Sequence, residues 1–295
     1  MKRLRHLLTV NDFSKAETEQ VLRGASSMKK NPHRFLSKLK GKTLAMLFAK
    51  PSTRTRVSFD VAMLQLGGHA LNLDFSDMQV SRGETIGDTA RVLSRYVDGI
   101  MARLFRHKDI EELARAASVP VINGLTNIFH PCQALGDMMT IKEKLGSFKG
   151  KKLVFLGDGA TNVCHSLINA ASVLGPGMIV SCPRGYEPKI KGEFEIISDP
   201  KKAAKDADAL YTDSWVSMGQ EREHARRLKQ LRPYQLNSGL LSKAKKQCIV
   251  MHCLPAHRGQ EITDDVMDGP NSVIFGQAEN RLHVQKALLV KLLKK

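Results

Sequence analysis

The 295-residue sequence contains little of what is typical of membrane or secreted proteins. No run approaches the ~18 consecutive apolar residues that a membrane helix needs. The basic amino terminus has neither the long apolar core nor the small-residue cleavage site of a signal peptide. The five cysteines are an odd number, and none of them forms a CxxC pair. We therefore expect reduced thiols, a cytoplasmic location and no membrane association.

Aromatic residues are also scarce, at 5% of the chain, with one Trp and four Tyr. A protein that binds nucleic acid through base stacking needs more such platforms. Positive charge is abundant instead, since 46 Lys and Arg face 29 acids and give a net charge of +17. The basic residues form short clusters, such as Lys149–Lys152 and Lys243–Lys246, rather than one stripe. This pattern argues against nucleic acid as the main partner and favours a surface that attracts small anions.

Motifs for metals and cofactors are missing as well. There is no HExxH motif or aspartate cluster, and His252 and His257 lack the spacing of metal ligands on one helix face. The turn at Gly157 resembles a dinucleotide-binding turn, but Asn162 replaces its third glycine and no acid follows ~20 residues later. A nicotinamide-dependent dehydrogenase is disfavoured, and we predict neither a metal nor a cofactor.

Short apolar runs alternate with amphipathic segments along the whole chain, which is typical of an α/β fold with parallel sheets. The predicted strands are Thr43–Phe48, His69–Leu73, Gly99–Ala102, Val119–Ile122, Lys152–Gly157, Met178–Cys182, Ala209–Tyr211, Cys248–Cys253 and Val273–Phe275. The predicted helices are Val57–Leu66, Ile86–Tyr96, Gln133–Leu145, Asn162–Leu174 and Ala278–Leu293.

These elements predict two domains, each a parallel sheet flanked by helices. The first covers residues 1–134, and a C-terminal helix over 278–295 crosses back to it. The second covers residues 135–277. Because ligands of open parallel sheets bind outside the carboxyl ends of the strands, the loops that follow the strands are the candidate site.

The loop after the first strand, Lys50–Arg56, contains Ser52 and Arg54 just before a helix. Unpaired N–H groups at a helix start favour an anion, and a guanidinium fits phosphate. The alternative is an ordinary capped helix with solvated arginines.

Arg103 ends another strand, and His130 and Gln133 flank a helix start, from which both can donate to a carbonyl oxygen that gains charge. The alternative for His130 is a structural hydrogen bond.

Two loops of the second half carry further polar groups. Asp213 follows a strand and suits an ammonium group, and Ser217-Met-Gly219 has the composition of a lid. Cys253 follows another strand, where it is either a buried filler or a polar contact. No adjacent base identifies it as a covalent nucleophile.

Five motifs in this order resemble the aspartate/ornithine carbamoyltransferase family over almost the whole chain. They are Ser52-Thr-Arg-Thr-Arg56, His130-Pro-Cys-Gln133, Asp213-Ser-Trp-Val-Ser-Met-Gly219, His252-Cys-Leu-Pro255 and Ala278-Glu-Asn-Arg281. The third and fourth motifs are those of the ornithine branch.

The resemblance implies a donor site for carbamoyl phosphate and an acceptor site for L-ornithine. The implied donor residues are Ser52, Thr53, Arg54, Thr55, Gln79, Arg103, His130, Gln133, Cys253, Leu254 and Arg281. The implied ornithine residues are Asn162, Asp213, Ser217 and Met218. The implied catalytic residues are Arg103, His130, Gln133, Asp213 and Cys253.

The family also implies a homotrimer, or a multiple of one, in which Gln79 serves the neighbouring subunit's site. The implied reaction forms L-citrulline in arginine biosynthesis. A sister enzyme acting on putrescine or an N-acylated ornithine is the nearest alternative. A nucleic-acid-binding protein on a retired enzyme scaffold is disfavoured, because every signature side chain is present.

Overall fold

The computed structural model describes residues 4–216 and 223–294. The chain divides into two compact units, one of Met1–Gly136 with Asn280–Lys295 and the other of Asp137–Glu279. Each unit contains one parallel sheet flanked by helices. The class predicted from the sequence is therefore confirmed.

The first unit alternates strands and helices. Its elements are α1 (Lys15–Lys30), β1 (Thr43–Phe48), α2 (Thr53–Gln65), β2 (His69–Asp74), α3 (Ile86–Leu93), β3 (Gly99–Arg103), α4 (His107–Ala116) and β4 (Val121–Leu125). Helix α5 (Pro131–Leu145) contains the boundary with the second unit.

The first sheet has the strand order β2-β1-β3-β4, so the apolar β1 and β3 are central. Leu44 and Leu47 of β1 and Ile100 of β3 are fully buried, whereas β2 lies at an edge and is largely exposed. Parallel pairing aligns Phe48 with Arg103. The loops after β1 and β3 therefore begin side by side.

The second unit repeats the pattern with a five-stranded sheet. Its elements are β5 (Lys152–Leu156), α6 (Asn162–Leu174), β6 (Gly177–Ser181), β7 (Glu195–Ile196), α7 (Pro200–Ala204), β8 (Ala209–Thr212), α8 (His224–Leu231), α9 (Ser238–Leu241), β9 (Ile249–His252) and α10 (Asp264–Met267). The strand order is β7-β6-β5-β8-β9. Thr212 pairs with His252, so Asp213 and Cys253 follow adjacent strands.

The last helix, α11 (Ile274–Leu293), contains the second boundary between the units. Its C-terminal part belongs to the first unit, where Nζ of Lys286 donates to Oε1 of Gln65 at 2.9 Å. Leu293 lies so close to β3 that a Cβ added to Gly99 would be 3.1 Å from it. The predicted return of the C-terminal helix to the first domain is confirmed.

The predicted strand Val273–Phe275 is wrong. Residue Ser272 forms one isolated bridge with Val250, and α11 begins two residues later. Phe275 is 64% exposed, as a side chain on the outer face of a helix can be. Three apolar residues are too few for their spacing to separate a strand from a helix start.

The start of α2 also differs from the prediction, because the helix begins at Thr53 rather than Val57. Ser52 is its N-cap, and its hydroxyl accepts a hydrogen bond from the Thr55 N–H at 3.2 Å. The signature residues Thr53 to Arg56 thus form the first turn of α2. Within the described part of the chain, no helix is both long and apolar enough to span a membrane.

We expect Phe59→Ala to destabilise the first unit by about 3–5 kcal/mol, because Phe59 is fully buried and truncation leaves a cavity. Phe275→Ala removes the same ring from an exposed position and should change the unfolding free energy by less than about 0.5 kcal/mol. Urea denaturation followed by circular dichroism measures both. Equal losses would contradict the assigned burial.

Candidate active site

The first group of candidate residues lies at the start of α2, where β1 ends. Thr55 is buried, and its hydroxyl accepts a hydrogen bond from Nη2 of Arg281 at 3.0 Å. Thr53 and Arg54 are exposed in the same turn. A helix start with its N–H groups, its positive dipole end and two arginines nearby favours a bound anion.

Three arginines converge in this unit: Arg54 from α2, Arg103 from the end of β3 and Arg281 from α11. We call them the arginine cluster. Burial, followed by the charges of Arg281 and Arg54, lowers the pKa of Arg103 to about 10. Its Nε is buried and has no hydrogen-bond partner among residues 4–216 and 223–294. Like charges held together in a partly desolvated site are stabilised by a bound anion.

His130 lies beside the arginine cluster, just before α5, and is 4% exposed. Burial and then the three guanidinium charges hold the pKa of His130 well below its usual value. The imidazole is therefore neutral and can donate one hydrogen bond without adding another positive charge. Gln133, in the first turn of α5, is also buried. An amide and a neutral imidazole are suitable donors to a carbonyl oxygen.

Lys50 was not identified from the sequence, although it precedes the first motif. Its Nζ lies 4.4 Å from the ring centroid of Phe105. Burial and then the charge of Arg103 lower the pKa of Lys50. A cavity of about 560 Å³ opens beside this loop, and its lining includes Lys50, Ser52 and Thr53. A further cation thus accompanies the arginine cluster.

Arg56 and Gln79 make no described contact with the arginine cluster. Arg56 pairs with Asp74 at 2.7 Å and lies 4.6 Å from the ring centroid of Phe48. Gln79 begins a short 3-10 helix, Gln79–Arg82, after β2, and it is exposed. Its side chain forms no hydrogen bond with the other candidate donor residues among the described part of the chain.

The second group of candidate residues follows β8 and β9. The Cys253 thiol donates a hydrogen bond to Oδ1 of Asp213 at 2.9 Å. Burial raises the pKa of Asp213, partly opposed by His252 and by the thiol. A carboxylate with little water around it gains from any cationic or hydrogen-bonding partner. This pair can therefore bind an amine and receive one of its protons.

Leu254 has a strained backbone, with φ of 60°, where a branched side chain is rarely found. Its N–H donates to Nδ1 of His252 at 2.8 Å, and Nε2 of His252 lies 3.2 Å from Oε1 of Glu261. Both His252 and Glu261 are buried. These bonds hold the Cys253–Leu254 turn in one conformation, as strained turns at functional sites require.

Asn162 begins α6 beside a turn whose buried carboxylate is fully engaged. Asp158 pairs with Arg227, and the Nε of Arg227 donates to the Trp215 carbonyl at 2.7 Å. The sequence did not reveal this pair, because its members are 69 positions apart. The predicted ornithine residues Ser217 and Met218 lie outside the described residues. Across residues 4–216 and 223–294, no group of three or more His, Cys, Asp or Glu is arranged to hold a metal ion.

Two family descriptions match the chain. "Aspartate/ornithine carbamoyltransferase, carbamoyl-P binding domain" matches residues 5–143, and "Aspartate/ornithine carbamoyltransferase, Asp/Orn binding domain" matches residues 149–292. The ornithine carbamoyltransferase of Pyrococcus horikoshii is 56% identical, over 98% of this chain and 96% of the relative. The anabolic ornithine carbamoyltransferase of Pyrococcus furiosus is also 56% identical, over 97% and 95%.

Solved structures of ornithine carbamoyltransferases superpose closely on this chain. The ornithine carbamoyltransferase of Pyrococcus furiosus superposes with a TM-score of 0.93 at 56% identity, covering 98% of this chain and 97% of that one. The enzyme of Thermus thermophilus superposes with a TM-score of 0.91 at 42% identity, covering 98% and 99%.

We expect His130 to remain neutral in the ligand-free protein at pH values below 6.5, where an ordinary histidine is already protonated. Because its pKa in the fold lies below the usual 6.5, His130 contributes stability above that pH, and the contribution is lost as the pH falls toward the folded pKa. Adding phosphate should raise this pKa, since an anion offsets the guanidinium charges. Imidazole NMR measures the pKa of His130 with and without phosphate, and His130→Gln identifies its signal. A titration near 6.5 without phosphate would contradict the geometry.

Proposed function

The chain belongs to the aspartate/ornithine carbamoyltransferase family, and we propose that it transfers the carbamoyl group of carbamoyl phosphate to the side-chain amine of L-ornithine. The products are L-citrulline and phosphate. The observation that carries the proposal is the arginine cluster around the neutral His130, in a unit that matches the family's carbamoyl-phosphate domain. The chemistry of the second unit, described below, suits the acceptor.

The donor is an anion with a good leaving group, so binding and charge compensation are the main tasks. In this proposal the start of α2 binds the phosphate through Ser52, Thr53, Arg54 and Thr55. The residues that orient the carbamoyl group are Arg103, His130, Gln133, Cys253, Leu254 and Arg281. The neutral His130 donates to the carbonyl oxygen, while the guanidinium groups offset charge on the oxygen and on the departing phosphate.

The acceptor must present a neutral amine, although an alkylammonium titrates near pH ~10. In this proposal Asn162, Asp213, Ser217 and Met218 bind ornithine. The hydrogen-bonded pair Asp213–Cys253 faces the amine. The nitrogen lone pair attacks the carbonyl carbon, the bond from that carbon to the phosphate oxygen breaks, and the nitrogen loses one proton.

An acceptor panel tests this function directly. Carbamoyl phosphate is supplied with L-ornithine, putrescine or N-acetylornithine, and the ureido product is measured colorimetrically. We expect L-ornithine to be preferred by at least about 100-fold in kcat/KM, because a site that pairs both ends of an amino acid rejects analogues that lack one. A preference for putrescine or N-acetylornithine would assign the chain to a sister activity, and no product from any acceptor would reject carbamoyl transfer.

Arg54→Ala should lower kcat/KM by about 10²–10³-fold with little loss of stability, because Arg54 is exposed and contacts the phosphate in this proposal. Arg91→Ala is the matched control, since Arg91 is an exposed arginine whose partner is Asp88 on α3. Steady-state kinetics of both variants measure the loss of activity, and thermal unfolding measures the loss of stability. Equal rates in the two variants would remove Arg54 from the donor site.

We propose further that the protein forms a homotrimer, or a multiple of one, and is located in the cytoplasm. Helix α2 exposes Val57 at 55% and Leu64 at 73%, and the adjacent edge strand β2 exposes Leu71 at 38%. Exposed apolar side chains on a helix and on an edge strand favour a protein contact. Gln79 follows this edge strand, and in the proposal it reaches the donor site of a neighbouring subunit.

Mixed trimers test the shared site. Gln79→Ala and Arg54→Ala should each be impaired alone, yet each mixed trimer should regain about one site in three, where an intact Arg54 meets an intact Gln79. The two variants are mixed, dissociated and reassembled, and activity is compared with each variant treated in the same way. Reassembly is confirmed with one tagged chain. If tagged hybrids form and remain inactive, Gln79 acts within its own chain.

A further inference from the structure

A buried hydrogen-bond network lies beneath the Asp213–Cys253 pair, and Gln277 of α11 is at its centre. Nε2 of Gln277 donates to Oδ1 of Asp137 at 2.6 Å and to the Tyr211 hydroxyl at 3.1 Å. Its Oε1 accepts from the backbone N–H of His252 at 3.0 Å. The Tyr211 hydroxyl donates to Oδ2 of Asp137 at 3.1 Å. All four residues of the network are at most 1% exposed.

The chemistry of the partners fixes the orientation of the Gln277 amide. The backbone N–H of His252 can only donate, so the group facing it must be the amide oxygen. The carboxylate of Asp137 can only accept, so the group facing it must be the NH₂. A side chain at this position must therefore combine an acceptor and a donor, and a hydrophobic residue of the same length provides neither.

The network connects the ends of the two strands that carry the acceptor chemistry. Tyr211 belongs to β8 and lies two positions before Asp213, which directly follows that strand. His252 is the last residue of β9, and Cys253 directly follows it. The two strands pair through Thr212 and His252. Whatever fixes these strand ends also fixes the 2.9 Å hydrogen bond between Cys253 and Asp213.

We propose that Gln277 is a positioning residue for the acceptor amine: its amide, through Asp137, Tyr211 and the His252 N–H, holds Asp213 and Cys253 at hydrogen-bonding distance. The consequence for turnover rests on the proposed function, whereas the geometric consequence does not. Gln277 touches neither substrate in this account. Its effect on catalysis passes through the two strand ends.

Two substitutions separate this role from simple packing. Gln277→Met keeps the length and volume but removes both hydrogen-bonding functions. Gln277→Glu restores them, because two buried carboxyl groups at 2.6 Å cannot both ionise and must share one proton. The protonated carboxyl introduced by this second substitution then donates to Asp137 and accepts from His252. Gln285→Met is the matched control, since Gln285 is an equally buried glutamine two turns along α11 and outside the network.

The reactivity of the Cys253 thiol reports the geometry without any enzyme assay. Cys253 is half-buried, whereas the other four cysteines are buried, so iodoacetamide labelling read by peptide mass spectrometry distinguishes it. We expect Gln277→Met to label Cys253 at least about 5-fold faster, because loss of the hydrogen bond to Asp213 frees and exposes the thiol. Gln277→Glu and Gln285→Met should label at the wild-type rate.

The kinetic constants should rank these variants in the same order as the labelling rates of Cys253. Gln277→Met should raise the KM for ornithine and lower kcat by about 10-fold or more, the loss expected when a reacting group is misplaced, while the KM for carbamoyl phosphate changes by less than twofold. Gln277→Glu should recover both values. Tyr211→Phe removes one hydroxyl from the network at nearly constant volume and should give a smaller change of the same kind. It replaces Gln277→Met if that variant does not fold.

Wild-type labelling and ornithine KM in both Gln277→Met and Tyr211→Phe would overturn the proposal. So would an equal loss for both substrates together with a failure of Gln277→Glu to rescue, because a merely structural role predicts that result. If the wild-type protein does not carbamoylate ornithine, the proposed function fails. The labelling rates still decide whether Gln277 positions Cys253.

Discussion

The arginine cluster is the constraint on which the first unit depends. Three guanidinium groups gather beside a buried imidazole. Burial, and after it the like charges of the cluster, lowers the pKa values of Arg103 and His130. Such an arrangement persists only if the surrounding fold is rigid enough to hold it. Here Arg103 ends the central strand β3, and Arg281 belongs to a helix whose later turns pack on the same unit. A bound anion would offset these like charges.

The second unit uses the same sheet geometry for the opposite purpose. Parallel β8 and β9 end side by side, and their ends carry a carboxylate and a thiol, whereas the strand ends of the first unit carry cations. Desolvation raises the pKa of Asp213, so this carboxylate gains from a cationic or proton-donating partner. The buried network of Asp137, Tyr211 and Gln277 lies beneath these strand ends. If the proposed function holds, the geometry of the acceptor site depends on residues that touch no substrate.

Most of the fold could be predicted from local patterns in the sequence. Strand β1 was predicted with its observed bounds, because Thr43 is followed by five consecutive apolar residues and no other element fits so short a buried run. The predicted strand Val273–Phe275 was wrong because three apolar residues fit a helix start equally well. The two-residue strand β7 has exposed side chains and leaves no apolar pattern to detect. The residues of the arginine cluster were named because each directly follows a strand or belongs to a motif.

Residues that act through distant partners could not be found in this way. Gln277 and Asp137 are 140 positions apart, and Asp158 and Arg227 are 69 apart, so only the folded chain brings them together. Lys50 gave no signal of its own, because a lysine before a helix is ordinarily solvated. The buried state of these groups, which determines their chemistry, is a property of the tertiary packing.

The central claim, that the arginine cluster exists to bind the donor dianion, is tested most directly by calorimetric titration of phosphonoacetamide. This compound keeps the phosphoryl and amide ends of carbamoyl phosphate but has a CH₂ in place of the labile oxygen. We expect the wild-type protein to bind it at one site per chain, and Arg103→Met to bind it at least about 100-fold more weakly, since a buried charge-assisted contact is lost. Equal affinity in the two proteins would contradict the account.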